Sequence, residues 1–186
     1  MSPLFIFLLV LTLASAADLQ VLIEMNEVEE VLAYVSRNGL DGRDFSSFQT
    51  PLMMAATAGK PDVIRALLEA GADATIRDDR GNGPADAAAF FGRFSTIEAL
   101  IQGSAEVDAV ATDGLRPIDR ACNQRSRAHA KVFQLLLDNG ADPDGSVHGV
   151  QVQHVSPCLV TSNEHIAKVM EARLVKSRRL LTVEEL

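Results

Sequence analysis

The sequence has no tryptophan, one tyrosine and only two cysteines, Cys122 and Cys158, in 186 residues. Two thiols allow one bridge at most, so no disulfide framework carries the fold. No Asn-x-Ser/Thr acceptor occurs, and neither a glycine-rich phosphate loop nor a nucleophile elbow is present. Positive charge is scarce: 17 Lys and Arg stand against 25 Asp and Glu, and the net charge of −8 disfavours nucleic acid as a partner. No long apolar run is present either, since Leu4 to Leu13 is too short to cross a bilayer as a helix. With 47% hydrophobic and 23% charged residues, the whole chain has the composition of one globular domain.

That short run, LFIFLLVLTL, is followed by Ala14, Ser15, Ala16 and Ala17, which is the pattern of a secretory signal peptide. Small residues at Ala14 and Ala16 suit a signal peptidase cutting after Ala16, although no Lys or Arg precedes the run. The expected layout is a signal peptide over residues 1–16 and a folded domain over 17–186, carried into the secretory pathway as a secreted or lumenal protein. An uncleaved segment would instead tether the chain to a membrane. Asp18 breaks the apolar pattern and stands where an N-cap for the helix LQVLIEM is wanted. The last three residues of Val183-Glu184-Glu185-Leu186 resemble endoplasmic reticulum retrieval signals, which normally begin with Lys or His rather than Val.

The rest of the chain is organised by a repeat. Pro51, Pro84 and Pro117 recur at intervals of 33 residues. Ala55-Ala56 returns as Ala88-Ala89 and Ala121-Cys122. Leu67-Leu68 returns as Leu100-Ile101 and, after a three-residue insertion, as Leu136-Leu137. Proline in the first turn gives up no intrahelical hydrogen bond, and Gly71 or Gly140 can end a helix in the left-handed conformation, so each copy reads helix, turn, helix, loop. A period of this length marks a stacked helical solenoid whose repeats bury their apolar faces only against one another.

The segment Thr50-Pro51-Leu52, Ala55-Ala56, Gly59, Val63-Ile64, Leu67-Leu68 and Gly71-Ala72-Asp73 resembles the ankyrin repeat family nearly throughout. The resemblance implies an all-α ankyrin-repeat solenoid: an N-terminal cap repeat over 18–44, repeats over 45–77, 78–110 and 111–146, and a degenerate C-terminal repeat over 147–186. Glu24, Glu27, Glu29 and Glu30 suit a polar cap, and 145–155 reads as an extended loop or finger. In the second copy Gly83 replaces the N-cap Thr and Ser104 replaces the C-cap Gly; in the third, Arg120 takes a usually apolar position.

No catalytic constellation stands out, so the chain is not expected to be an enzyme and no cofactor is implied. His148, His154, Cys158 and His165 form a loose series in the least regular stretch, with Pro157 interrupting it. A small metal or redox protein using Cys158 and these histidines is the least favoured reading. Cys122 occupies the packed position of Ala56 and Ala89. Both cysteines read first as core fillers, and a bridge between them stays open because the registers differ by about one helical turn.

The resemblance further implies a non-catalytic protein-binding module, a monomer that holds another protein on its concave face. Its fingers would point Ser46, Ser47 and Gln49, then Arg77, Asp79, Arg80 and Asn82, then Thr112, Asp113 and Leu115 outward. The first helices would present Thr57 and Ala58, then Phe90 and Phe91, then Asn123 and Gln124. Phe90 and Phe91 are the expected anchors, the alternative being that Phe91 packs under the turn before Gly92. Residues 116–134 hold Arg116, Arg120, Arg125, Arg127 and Lys131 against Asp119 alone, so the insertion in the third copy reads as a projecting basic loop suited to an acidic peptide. A narrower variant is a secretory-pathway inhibitor or chaperone of one enzyme.

Overall fold

A computed structural model of the chain describes residues 16–43, 48–142, 146–147, 150–151, 161 and 163–172. Four helix pairs follow in order: α1 (Ala16–Met25) with α2 (Val28–Asn38), α3 (Pro51–Ala58) with α4 (Pro61–Glu69), α5 (Pro84–Phe90) with α6 (Phe94–Gln102), and α7 (Pro117–Cys122) with α8 (Arg127–Asp138). Two short strands, β1 (Ser146–Val147) and β2 (Val150–Gln151), pair antiparallel, and a last helix, α9, runs over 164–172. First helices stack on first helices, α1 on α3 on α5 on α7. Second helices do the same, α2 on α4 on α6 on α8. This is the expected solenoid, with β1 and β2 as its one non-helical addition among the described residues.

The layers are filled as the repeat demands. Ala55, Ala56, Ala88, Ala89 and Ala121 are wholly buried where first helices approach closely, and Ile64, Leu67, Ile97, Leu100 and Leu136 are wholly buried between the layers. Each such branched side chain contributes roughly 1.5–3 kcal/mol by leaving water. Phe133 joins them from α8. Gly71 and Gly140 take φ of 95° and 92° behind α4 and α8, while Ser104, standing where the second copy lacks its glycine, is held at φ 58°.

Helix starts are capped in two ways. Thr50 Oγ1 accepts the Met53 backbone N–H at 3.3 Å, closing the first turn of α3. Gly83 and Arg116 have no hydroxyl to offer, and here the carboxylates of Asp86 and Asp119 reach back instead to accept the N-cap N–H at 2.9 and 3.1 Å.

Two expectations are corrected. Asp18 is not an N-cap, because α1 is already helical at Ala16 and Asp18 lies inside it. The insertion in the third copy is no projecting basic loop: α8 has 12 residues where α4 and α6 have 9 each, so the extra residues add about one helical turn and leave only 123–126 between the helices. Of the stretch over 147–186, expected as a degenerate C-terminal repeat, the longest described element is α9, whose Ile166 is wholly buried. Its expected opening at Ser156-Pro157-Cys158-Leu159 lies outside the described residues, as do residues 1–15.

Candidate functional site

Between the first helices and the loops that precede them lies a groove of about 300 Å³. Its apolar floor comes from Met53 on α3, Ala87 and Phe90 on α5, and Phe91. Its polar walls come from Asp78, Arg80 and Asn82 on one finger, with Asp86 and Arg120 reaching in from α5 and α7. Gln49 and Thr57 complete the rim.

Phe90 and Phe91 are each 47% exposed. Their rings meet edge to face, 5.1 Å apart at 87°, an arrangement that fixes both aromatic planes. Phe91 is therefore not tucked under the turn. The Arg93 guanidinium stands 6.0 Å from the Phe91 centroid, and its stem lies along Gly59, where a Cβ would come within 2.7 Å of it. Behind Phe90, His129 Nε2 sits 2.9 Å from the Phe90 carbonyl, while its Nδ1 is 2.6 Å from Ser126 Oγ. A carbonyl only accepts, so in the neutral ring Nε2 carries the proton and Nδ1 receives the hydroxyl's.

Most charged groups around this groove are committed to one another. Asp78 accepts the backbone N–H groups of Arg80 and Asn82 at 2.9 and 2.8 Å and the Asn82 carboxamide at 3.1 Å. Arg120 donates to Asp86 at 3.0 Å, to Asn82 Oδ1 at 2.5 Å and to both oxygens of Asp113 at 3.1 and 3.2 Å. Asp86, 2% exposed, also lies 3.7 Å from Arg77. Burial still pushes its carboxyl above the ordinary range despite these partners. Arg116 is likewise buried, donates to Asp119 at 2.9 Å and lies 3.9 Å from Asp108. Burial raises the Asp108 carboxyl to about 6, with Arg116 opposing the shift and the Asp119 and Asp142 carboxylates adding to it.

Two of the five cations read as a basic patch, Arg116 and Arg120, are thus internal to ion-paired networks. Arg125, Arg127 and Lys131 remain exposed. Arg77, expected to point outward, is turned inward onto the Gly81 carbonyl, Asp86 and Glu106. Arg80 and Asn123 are exposed. The carboxamide of Asn82 is spent on Asp78 and Arg120, and the exposed carboxylate of Asp113 is held by Arg120 and by the Leu115 N–H at 3.1 Å. Leu115 and Gln124 are half-buried, and the Gln124 carbonyl accepts the Asn163 carboxamide at 2.8 Å. Asp79 and Thr112 are exposed, the first 3.7 Å from Arg43 and the second bonded through its hydroxyl to the Arg80 carbonyl. Thr57 and Ala58 are half-buried; Ser46 and Ser47 lie outside the described residues.

Sequence reasoning overlooked two contributors. Met53 lines the groove from α3. Asp86 organises the groove from below. Its signal was present, because Asp86 and Asp119 share the same interval as the prolines.

Cys122 is buried and disulfide-bonded; Cys158 lies outside the described residues. Among the described residues no group of three or more His, Cys, Asp or Glu side chains is placed to hold a metal, and no helix is long and apolar enough to cross a membrane. His148 and His154 lie outside them, and His165 is exposed.

Stacked helix pairs with a groove along their first helices define a helical repeat protein, and comparison with known proteins names the class. The ankyrin repeats family model, in three copies, matches residues 52–146. The chain belongs to the ankyrin-repeat family, whose repeats mediate protein–protein interaction. Its relatives include alpha-latrocrustotoxin-Lt1a of Latrodectus tredecimguttatus, 32% identical over 141 residues, which cover 68% of this chain and 10% of the toxin. NF-kappa-B inhibitor alpha of Sus scrofa is 32% identical over 103 residues, 50% of this chain and 31% of the inhibitor. NF-kappa-B inhibitor delta of Mus musculus is 27% identical over 138 residues, 60% of this chain and 42% of that protein. The match therefore spans less than half the length of each of these relatives.

Proposed function

We propose that the chain is a non-catalytic interaction module that holds a partner protein on its concave face, with Phe90 and Phe91 as apolar anchors. One observation carries this reading. Two adjacent phenylalanines stand half-exposed and locked edge to face over a groove, where packing alone would have buried at least one. Rigid aromatics surrounded by a polar rim are what interface hot spots are made of. Partners are to be identified by cross-linking the chain in its own cells and reading the cross-linked peptides by mass spectrometry. Phe90→Ala with Phe91→Ala should then weaken the identified complex by about thirtyfold or more, the equivalent of losing a hot spot of ~2 kcal/mol, with a much smaller change in melting temperature. Equal binding by wild type and double variant would end the reading.

A more specific version makes the chain a regulator in the secretory pathway, an inhibitor or chaperone of one enzyme. Support comes from the signal-peptide pattern over residues 1–16, from a disulfide at Cys122, which persists in oxidising compartments, and from the inhibitor names among its relatives. Intact mass of the protein from its own cells, alkylated before and after reduction, tests it. Loss of residues 1–16 and no thiol labelled before reduction are expected; a full-length mass with two free thiols would refute it.

A further inference from the structure

The charges around the groove are unequal in one respect: the acids are committed and some of the cations are not. α3 carries no charged residue, and α5 and α7 carry Asp86, Asp119 and Arg120. Those three are bound to arginines or carboxylates of their own networks. On the fingers, Asp78 accepts three N–H donors but has no cationic partner, Asp113 is held by Arg120, Asp108 faces Arg116 and Asp79 faces Arg43. No acid of this face is left without a donor or cation among the described residues. Arg80, by contrast, projects exposed from the finger with no side-chain hydrogen bond or ion pair among them. At the other end of the groove Arg93 is exposed over the Phe91 ring, and exposed Arg127 opens α8 beside the Ser126–His129 turn that holds Phe90. The excess of acid lies elsewhere, on residues such as Glu24, Glu29, Glu30, Glu69 and Glu98.

We propose that this groove takes an acidic segment of the partner protein, with a large apolar side chain against Met53, Ala87 and the Phe90–Phe91 pair and an Asp or Glu on Arg80. The proposal rests on the concave-docking reading and adds the chemistry of the occupant. About 300 Å³ accommodates one large side chain and its flanking backbone, which favours a short segment over a broad folded surface. A guanidinium free of internal partners can offer a carboxylate two parallel N–H donors, a geometry that lysine cannot supply. A basic segment would meet exposed Arg80 and Arg93 and would find, of the carboxylates lining the groove, only Asp78 without a cation, its oxygens already taking three N–H donors.

The test is a selection of short random peptides displayed on phage against the full chain, with enriched peptides resynthesised and titrated by fluorescence anisotropy. Expected sequences place Asp or Glu within a few residues of Leu, Ile, Phe or Trp. Their affinity should fall about tenfold with Arg80→Gln and further with Arg80→Glu, in line with loss of a charge-assisted pair. Replacing the peptide's acid by Lys should restore binding to Arg80→Glu. Far-ultraviolet circular dichroism melts of each variant verify folding, and Arg80, exposed and unpaired, is the substitution least able to disturb it. Peptides that need Phe90 and Phe91 but carry no acid, or that ignore Arg80→Glu, overturn the acidic occupant and leave concave docking standing. Peptides indifferent to Phe90→Ala with Phe91→Ala, or no enrichment at all, overturn docking of a segment in this groove altogether.

Discussion

Arg120 shows how one side chain can tie neighbouring repeats. It reaches from α7 to Asp86 on α5 and to Asn82 and Asp113 on two fingers, and is only 11% exposed. Removing it strands the Asp86 carboxylate in a buried site with Arg77 3.7 Å away. Arg120→Met should therefore cost about 3 kcal/mol in urea unfolding, and adding Asp86→Asn should return part of that loss because the buried charge goes with it. Asp108 makes the opposite case. Burial pushes its carboxyl up to about 6 in the folded chain, above the ordinary carboxylate value of about 3.8, so folding takes up a proton between those values and Asp108 lowers stability as pH rises through about 6. Asp108→Asn should then melt higher than wild type at pH 7 and show a shallower loss of melting temperature between pH 4.5 and 7. Equal pH profiles for the two proteins would mean that solvent screens the site. Neither network was legible in the sequence. Arg120 read as an ankyrin position filled by the wrong residue type, and its partners lie 34 and 38 residues upstream in Asp86 and Asn82, a pairing that only stacking reveals.

At the scale of elements, the signals that punctuate helices were readable and those that lengthen or join them were not. Proline at the first position and glycine after the last marked α3, α4, α5, α7 and α8 correctly, because each acts on its own backbone. The insertion in the third copy misled, since three polar and basic residues look alike whether they loop out or wind one more turn. Ser104 offers a direct test of the punctuation. Ser104→Gly should stabilise the chain by a few tenths to about 1 kcal/mol, by relieving a side chain from the left-handed region, as measured by chemical denaturation. α9 is joined to the array by Asn163. Its carboxamide donates to the Gln124 and Ser126 carbonyls at 2.8 and 3.2 Å, and its Oδ1 accepts the His165 N–H at 3.0 Å. Asn163 is 1% exposed, so Asn163→Ala should leave these groups unpaired and release α9. Hydrogen exchange should then speed up in 164–172 and in 123–126 while α3 to α6 stay protected.

Across the whole molecule, stability flows through contacts between neighbouring repeats, and the groove is a by-product of the same stacking. The residues that fold the array and those that face a partner are therefore largely separate sets, which is why the repeat was plain in the sequence and the site only partly so. Phe90 and Phe91 were identifiable because two apolar residues in succession exceed what one buried stripe can hold. That Arg80 stands free while Arg77, three residues earlier, is turned inward depends on Asp86 and Glu106 being within reach, and no local pattern encodes that. The distribution of charge has a kinetic consequence. The chain carries a net −8, yet its groove exposes the unpaired guanidinium of Arg80. An acidic ligand approaching from beyond a Debye length of about 8–10 Å meets a repulsive field, and only the last step of its approach is downhill. Added salt should speed its encounter with this protein while shortening the lifetime of the pair once formed, so that on-rate and residence time move in opposite directions along an ionic-strength series.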